Sequence, residues 1–194
     1  DNRFAFDDGA IFAGTIDGGS GGTNTLDYSA YTTAVAVDLS AGAATGVGVG
    51  AAGRVSNIHN VTGGSAADTL TGDGNANVLA GGAGNDILEG GAGNDRFVLA
   101  AGGGTDTIAD SAGNDTLDYS AYTTAVTVSL AAGTATGVTS GFSSIENIIG
   151  GAGNDSLTGD GGANVIIGGA GNDTLTGGAG DDRYVFGNGW GTDT

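Results

Sequence analysis

The sequence contains no proline, cysteine, methionine or lysine. Without cysteine there can be no disulfide framework, which small secreted domains often use in place of a large core. Four arginines stand against 22 acidic residues, so the net charge is −18. This excess excludes nucleic acid and anionic membrane surfaces as partners and favours cations.

Long apolar runs are also missing from the chain. No stretch approaches the roughly 18 residues that a membrane-spanning helix needs, so we expect no direct membrane insertion. The hydrophobic 39% is mostly Ala and Val, and the aromatic share is 6%. Burial of such side chains offsets chain entropy and charge repulsion poorly. We therefore expect the chain to be poorly folded alone and to need a metal or self-association for stability.

Glycine, by contrast, is abundant, with 43 residues arranged in nine-residue repeats. Four contiguous units begin at Gly63 and four more begin at Gly150, 87 residues later. A longer repeat of roughly 90 residues connects the two arrays, because LDYSAYTTAV at 26–35 recurs at 117–126. We divide the chain into a partial coil with a strand-rich segment (1–62), a first array with its extension (63–118), an intervening strand-rich segment (119–149) and a second array (150–194).

Each nonapeptide combines a turn with a very short strand. Its first six residues are Gly, Asn and Asp, which accept turn conformations, and its last three place one large apolar residue between two variable ones. Two units then close a flattened coil of 18 residues, with parallel strands stacked about 4.8 Å apart. The pattern predicts an all-β solenoid of stacked parallel strands. The predicted inward residues are Leu70, Leu79, Leu88, Phe97, Leu157, Ile166, Leu175 and Tyr184.

Stacking decides where the aspartates lie. Side chains 18 positions apart fall on the same edge, so Asp68 faces Asp86 and Asp155 faces Asp173. Two such carboxylates repel each other unless a cation lies between them. The available donors are carboxylate and peptide oxygens, which suit Ca²⁺ far better than Zn²⁺. We therefore expect calcium ions between the stacked Gly/Asp-rich turns.

The wording GGAGNDILEGGAGNDRF at 81–97 resembles the GGxGxDxUx nonapeptide of the RTX family, the hemolysin-type calcium-binding repeats of secreted bacterial toxins, proteases, lipases and adhesins. Five units, beginning at 81, 90, 150, 168 and 177, fit the whole motif. In the unit at 63, Ala66 replaces the fourth-position Gly. The units at 72 and 159 carry Asn at the sixth position, so we expect weaker or differently built sites there.

The resemblance implies a right-handed parallel β-roll, or β-solenoid, in which the sixth-position aspartates and main-chain oxygens of the glycine-rich turns hold the ions. The looser units at 101–109 and 110–118, and the last residues of the chain, supply further candidate ligands. The implied carboxylate and amide ligands are Asp68, Asp86, Asp95, Asp155, Asp173 and Asp182, with Asn77, Asn164, Asp106, Asp115 and Asp193. The implied glycines are Gly82, Gly84, Gly91, Gly93, Gly151, Gly153, Gly169, Gly171, Gly178 and Gly180.

No catalytic constellation accompanies these repeats. GGSGG at 18–22 matches G-x-S-x-G formally, but no strand and helix are predicted around it and His59 is the sole histidine. We expect a non-catalytic, calcium-folded module of a secreted or cell-surface bacterial protein such as an adhesin. The alternative is the folding and type I secretion domain of an extracellular protease or lipase. Self-association, or contact with a cell-surface matrix, is left open.

Overall fold

The computed structural model describes residues 1–48, 54–139, 141–187 and 191–194. Within these ranges every regular element is a β-strand of two or three residues. The strands are β1 Arg3–Ala5, β2 Ile16–Asp17, β3 Thr25–Asp27, β4 Ala36–Asp38, β5 Ala43–Ala44, β6 Val55–Ser56, β7 Asn60–Thr62, β8 Thr69–Thr71, β9 Val78–Ala80, β10 Ile87–Glu89, β11 Arg96–Val98, β12 Thr107–Ala109, β13 Thr116–Asp118, β14 Thr127–Ser129, β15 Thr134–Ala135, β16 Asn147–Ile149, β17 Ser156–Thr158, β18 Val165–Ile167, β19 Thr174–Thr176 and β20 Arg183–Val185.

One face of the molecule is a single parallel sheet of nine strands, in the order β1, β3, β7, β9, β11, β13, β16, β18 and β20. The other face is divided into three sheets: β2 with β6, then β5-β4-β8-β10-β12, then β15-β14-β17-β19. In the arrays the chain alternates between the faces at each strand, which is the winding of a β-roll. The predicted all-β parallel fold is confirmed.

The core is built from the middle residue of each short strand. Because side chains alternate across a strand, a three-residue strand directs one side chain inward and two outward. In the nine-stranded sheet Leu79, Phe97 and Leu117 stand in register, and all three are fully buried. Across from them, Leu70 and Leu88 form the matching column. Each buried side chain of this size contributes about 2 kcal/mol, so one per strand makes a thin core.

Six of the eight residues predicted to point inward are fully buried, and the exceptions both lie in the last coil. Leu175 is partly buried and the exposed fraction of Tyr184 is 39%. Among the described residues no complete coil stacks beyond them. The Tyr184 hydroxyl accepts a hydrogen bond from the Gly177 amide at 2.6 Å.

The repeat spacing changes from 18 to 20 residues in the extension of the first array. Ile87 pairs with Thr69 on one side and with Thr107 on the other. The two additional residues fall in the turn after β11, so the strands keep their register and the looser units continue the solenoid.

The segments at 26–62 and 117–149 contribute to the solenoid and also carry hairpins. Their end strands, β3 and β7, β13 and β16, belong to the nine-stranded sheet. Between these, β4 pairs with β5 and β14 with β15 in antiparallel hairpins on the divided face. Strands from all four predicted segments therefore meet in one sheet, while the segment boundaries stay a prediction. In the described ranges, no helix is long and apolar enough to cross a membrane.

Candidate metal centres

The turns of the arrays lie along two edges of the solenoid. The first edge contains the turns that leave the nine-stranded sheet, with sixth-position residues Asp68, Asp86, Asp106, Asp155, Asp173 and Asp193. The second edge contains the turns that return to it, with Asn77, Asp95, Asp115, Asn164 and Asp182. Every aspartate or asparagine predicted as a ligand lies on one of these edges, and all of them except Asp193 immediately precede a strand.

Along each edge the sixth-position side chains form a hydrogen-bonded ladder. On the first edge Asp86 Oδ1 accepts from the Asp68 amide at 2.8 Å, and Asp106 Oδ1 accepts from the Asp86 amide at 3.0 Å. On the second edge Asp95 Oδ1 accepts from the Asn77 amide at 2.7 Å, and Asp115 Oδ1 from the Asp95 amide at 2.6 Å. Residues one coil apart are therefore brought together.

The second array repeats the ladder. Asp173 Oδ1 accepts from the Asp155 amide at 2.8 Å, and Asp193 Oδ1 from the Asp173 amide at 3.0 Å. On the other edge Asp182 Oδ1 accepts from the Asn164 amide at 3.0 Å. Asp193, predicted from a looser unit, thus occupies the same structural position as Asp106 and Asp115.

The second carboxylate oxygen, Oδ2, lacks a described hydrogen-bond partner in four of these turns. Oδ2 of Asp86, Asp95, Asp115 and Asp173 is buried and has no hydrogen-bond partner among the residues that the structure describes. Each of these four residues is at most 1% exposed. A buried, unpartnered carboxylate oxygen is costly unless a positive charge compensates it. These four oxygens therefore point to cations.

The same burial shifts proton affinities upward. Burial raises the pKa of Asp86 to about 6, against the opposing hydrogen bond from the Asp68 amide, and the Asp106 and Asp68 charges add to the rise. The pKa values of Asp95, Asp106 and Asp173 are also raised, chiefly by burial. Without a cation, ionised carboxylates are disfavoured at these positions.

Glycines bring peptide carbonyls against the same turns. At Gly82, where φ is +99°, a Cβ would lie 2.2 Å from the Gly64 carbonyl oxygen; at Gly84, where φ is +126°, it would lie 2.4 Å from that of Ala66. No other residue fits so close to a backbone oxygen one coil away. The same positive φ and close carbonyl recur at Gly91, Gly93, Gly169, Gly171, Gly178 and Gly180.

The first turn of each array is built differently. Gly151 and Gly153 do not have positive φ, and they lie against the backbone of the preceding hairpin segment at Tyr122 and Ala125. Asp155 Oδ1 accepts from the Val126 amide at 2.9 Å and its Oδ2 from the Gly151 amide at 2.8 Å.

Asp68 is held in the same way as Asp155. Its Oδ1 accepts from the Val35 amide at 2.7 Å and its Oδ2 from the Gly64 amide at 2.6 Å. Both oxygens of each first aspartate have backbone partners, so a ligand role for Asp68 and Asp155 stays a prediction.

The side-chain amides of Asn77 and Asn164 carry no charge and are hydrogen-bonded. The Asn77 side chain accepts from the Asp73 amide at 2.8 Å and donates to the His59 carbonyl at 3.0 Å. The Asn164 side chain accepts from the Asp160 amide at 2.9 Å and donates to the Glu146 carbonyl at 2.9 Å. A neutral, hydrogen-bonded amide binds a cation less strongly than a carboxylate does, which supports the expectation of weaker sites there.

Sequence reasoning missed Asp110. One carboxylate oxygen from each of Asp95, Asp110 and Asp115 lies within 4.8 Å of the others. The signal was present in the sequence, since Asp110 occupies the first position of its unit, where the complete motif has Gly. Glu146 was also missed as a member of the ladder: its Oε2 accepts from the Asp115 amide at 2.9 Å.

The donor set consists of carboxylate and peptide oxygens, without sulfur, which suits a hard divalent cation. The family model for the RTX calcium-binding nonapeptide repeat matches in four copies, at residues 62–97, 98–120, 140–175 and 158–189. The chain belongs to this RTX family. RTX repeats bind Ca²⁺, and the chemistry of the orphaned oxygens and the glycine-lined turns suits that ion, while the residues that hold it stay a prediction. A comparison with curated proteins found no match.

Proposed function

We propose that this RTX module folds when it binds extracellular calcium and serves as a structural extender of a secreted or cell-surface protein such as an adhesin. The observation that carries the proposal is the set of buried, unpartnered oxygens on Asp86, Asp95, Asp115 and Asp173. Asp95 and Asp115 lie one coil apart, and Asp86 and Asp173 occupy equivalent turns of the two arrays, so ionised carboxylates oppose folding in both arrays when calcium is absent.

Coupling between ion binding and folding follows from where the ligands come from. The predicted sites combine residues of successive coils, as Asp68 with Asp86 and Asp86 with Asp106. An unfolded chain does not hold such residues together, so binding free energy becomes folding free energy. The thin core and the net charge of −18 oppose folding without the ion.

Circular dichroism and small-angle X-ray scattering of the chain, first with a chelator and then with added calcium, test the coupling. We expect an expanded, disordered chain in chelator and a compact β-rich one with calcium. Magnesium at equal ionic strength is the control, because it prefers a smaller octahedral shell and keeps its waters. Unchanged β-content after chelation would contradict the proposal.

The extender role is supported by the continuity of the nine-stranded sheet through both copies of the long repeat. Because strands stack along one axis, further copies would lengthen the module without changing its section. The complete coding sequence tests this role. Further copies of the long repeat would support it, whereas an adjacent protease or lipase module would support a secretion domain instead.

A further inference from the structure

Asp110 stands at a position that the regular turns reserve for glycine. In those turns a Cβ at the first position would collide with the unit's own carboxylate: at Gly81 it would lie 2.1 Å from Asp86 Oδ2, and at Gly168 it would lie 2.3 Å from Asp173 Oδ2. The unit at 110–118 accepts a side chain at this crowded point, and that side chain brings a further carboxylate.

The Asp110 side chain is directed toward the turn one coil before it. A Cβ at Gly90 would lie 2.3 Å from Asp110 Oδ1 and 2.4 Å from Asp95 Oδ2, so both oxygens lie beside the same backbone carbon. Asp115 completes the group, with one oxygen of each carboxylate within 4.8 Å of the others. We call Asp95, Asp110 and Asp115 the triad.

The triad concentrates unpartnered oxygens. Within the described part of the chain, Asp95 Oδ2, Asp115 Oδ2 and both oxygens of Asp110 are buried without a hydrogen-bond partner. Asp95 is 1% exposed and Asp115 is fully buried. The neighbouring cation, Arg96, is engaged elsewhere, because its Nε donates to Asp118 Oδ2 at 2.7 Å. Among the described residues, three carboxylates thus converge, and the cation next to them in the sequence, Arg96, pairs with Asp118 instead.

We propose that the triad is a calcium site whose ligands are chiefly side chains, and that it binds Ca²⁺ more tightly than the regular turns and fills first. The inference rests on the proposed calcium-coupled folding and deepens it. A regular turn pairs two sixth-position carboxylates, whereas the triad supplies three, and calcium affinity increases with the charge of the ligands. The first ion would then fix β11 against β13 and nucleate the first array.

Equilibrium dialysis and competition against a chelator test the proposal on the full chain. We compare the original chain with Asp110→Asn, which keeps the shape, and Asp110→Gly, which restores the residue of the regular motif. Asp7→Asn is the matched control, because it removes one negative charge from an exposed side chain outside the arrays. Circular dichroism at saturating calcium checks that each variant folds.

Both Asp110 variants should keep the number of ions bound at saturation, because Asp95 and Asp115 remain as a regular pair, but they should lose the tightest class of site. The calcium midpoint of folding should rise about tenfold, since fewer charged ligands weaken a calcium site. Asp7→Asn should keep the ion number and the midpoint. An original chain that binds no calcium would overturn the proposed function itself. A calcium-binding original chain whose Asp110 variants match Asp7→Asn would overturn the triad alone, leaving Asp110 as a buried neutral acid.

Discussion

Both edges of the first array join two aspartates one coil apart, and they differ at the first position of the second unit of each pair. On the first edge Asp86 and Asp106 are joined by the ladder across a coil of 20 residues, and Ala101 stands at the first position of the second unit. On the second edge Asp95 and Asp115 are joined across the same spacing, and Asp110 stands at that position. We expect the shared pairing to form a calcium site on each edge, with the residue at the glycine position setting how much negative charge the site holds.

Both edges contain glycines with positive φ that pack against a carbonyl oxygen, so replacing such a glycine should lower stability equally on each edge. Gly82→Ala on the first edge and Gly91→Ala on the second should each destabilise the calcium-loaded protein by about 3 kcal/mol, from positive φ and contact with a carbonyl oxygen. Gly74→Ala is the control, because no atom lies within 4 Å of its Cβ position and its φ is not positive. Chemical denaturation in calcium measures all three. If Gly82→Ala and Gly91→Ala lower stability as little as Gly74→Ala does, these positions do not require glycine.

Removing one carboxylate of the ladder should weaken calcium binding more at the first edge than at the second. Asp86→Asn leaves Asp106 as the remaining carboxylate of its pair, so we expect the loss of an ion and a calcium midpoint about tenfold higher. Asp95→Asn leaves Asp110 and Asp115 together, so the ion should be retained with weaker binding. Equilibrium dialysis with a calcium titration measures both quantities. Equal loss of ions in the two variants would mean that the edges are equivalent.

Acid should partly replace calcium, beginning at the second edge. Burial, together with repulsion from the nearby carboxylates of Asp115 and Asp95, raises the pKa of Asp110 to about 8, whereas that of Asp86 rises to about 6, chiefly because of burial. An acid whose pKa is raised on folding stabilises the fold while protonated, and this stability is lost as pH rises through the folded pKa. The calcium-free chain should therefore gain β-structure as pH falls from above 8 toward 5.

Circular dichroism in chelator as a function of pH measures this gain. Asp110→Asn, which lacks the group that titrates at the highest pH, should show more β-structure than the original chain near pH 8 and then follow it below pH 6. A flat profile for both chains would contradict the assigned burial.

The smallest effect is expected at the ion pair beside the triad. Arg96 is about half exposed at its side chain and pairs with the buried Asp118. Arg3 and Asp27 form the equivalent pair in the first copy of the long repeat. Arg96→Gln and Arg3→Gln should each lower stability by about 1 kcal/mol, since solvent screens such pairs. A much larger loss for Arg96→Gln alone, in thermal denaturation with calcium, would indicate that Arg96 also offsets the charge of the triad.

Much of the fold could be predicted from the repeat because successive coils make the same contacts with each other. Spacing alone predicted that Leu70 stacks on Leu88 and that Asp68 faces Asp86; the hydrogen bond from the Asp68 amide to Asp86 Oδ1 was not predicted. The hairpins could not be predicted in the same way, since the antiparallel pairing of Val37 with Ala44 depends on local register rather than on the nonapeptide. Asp110 was missed because a motif directs attention to the positions it specifies, whereas here the chemistry arises where the motif is broken.

The unequal faces of the solenoid separate two properties of the protein. One sheet runs through both long repeats without interruption, so its strand count alone sets the length of the molecule, at about 4.8 Å for each added coil. The divided face takes up the hairpins at β4–β5 and β14–β15 without disturbing that spacing. The length of the solenoid and the shape of its surface can therefore change independently. Insertions on the divided face change the surface, whereas added coils change the length.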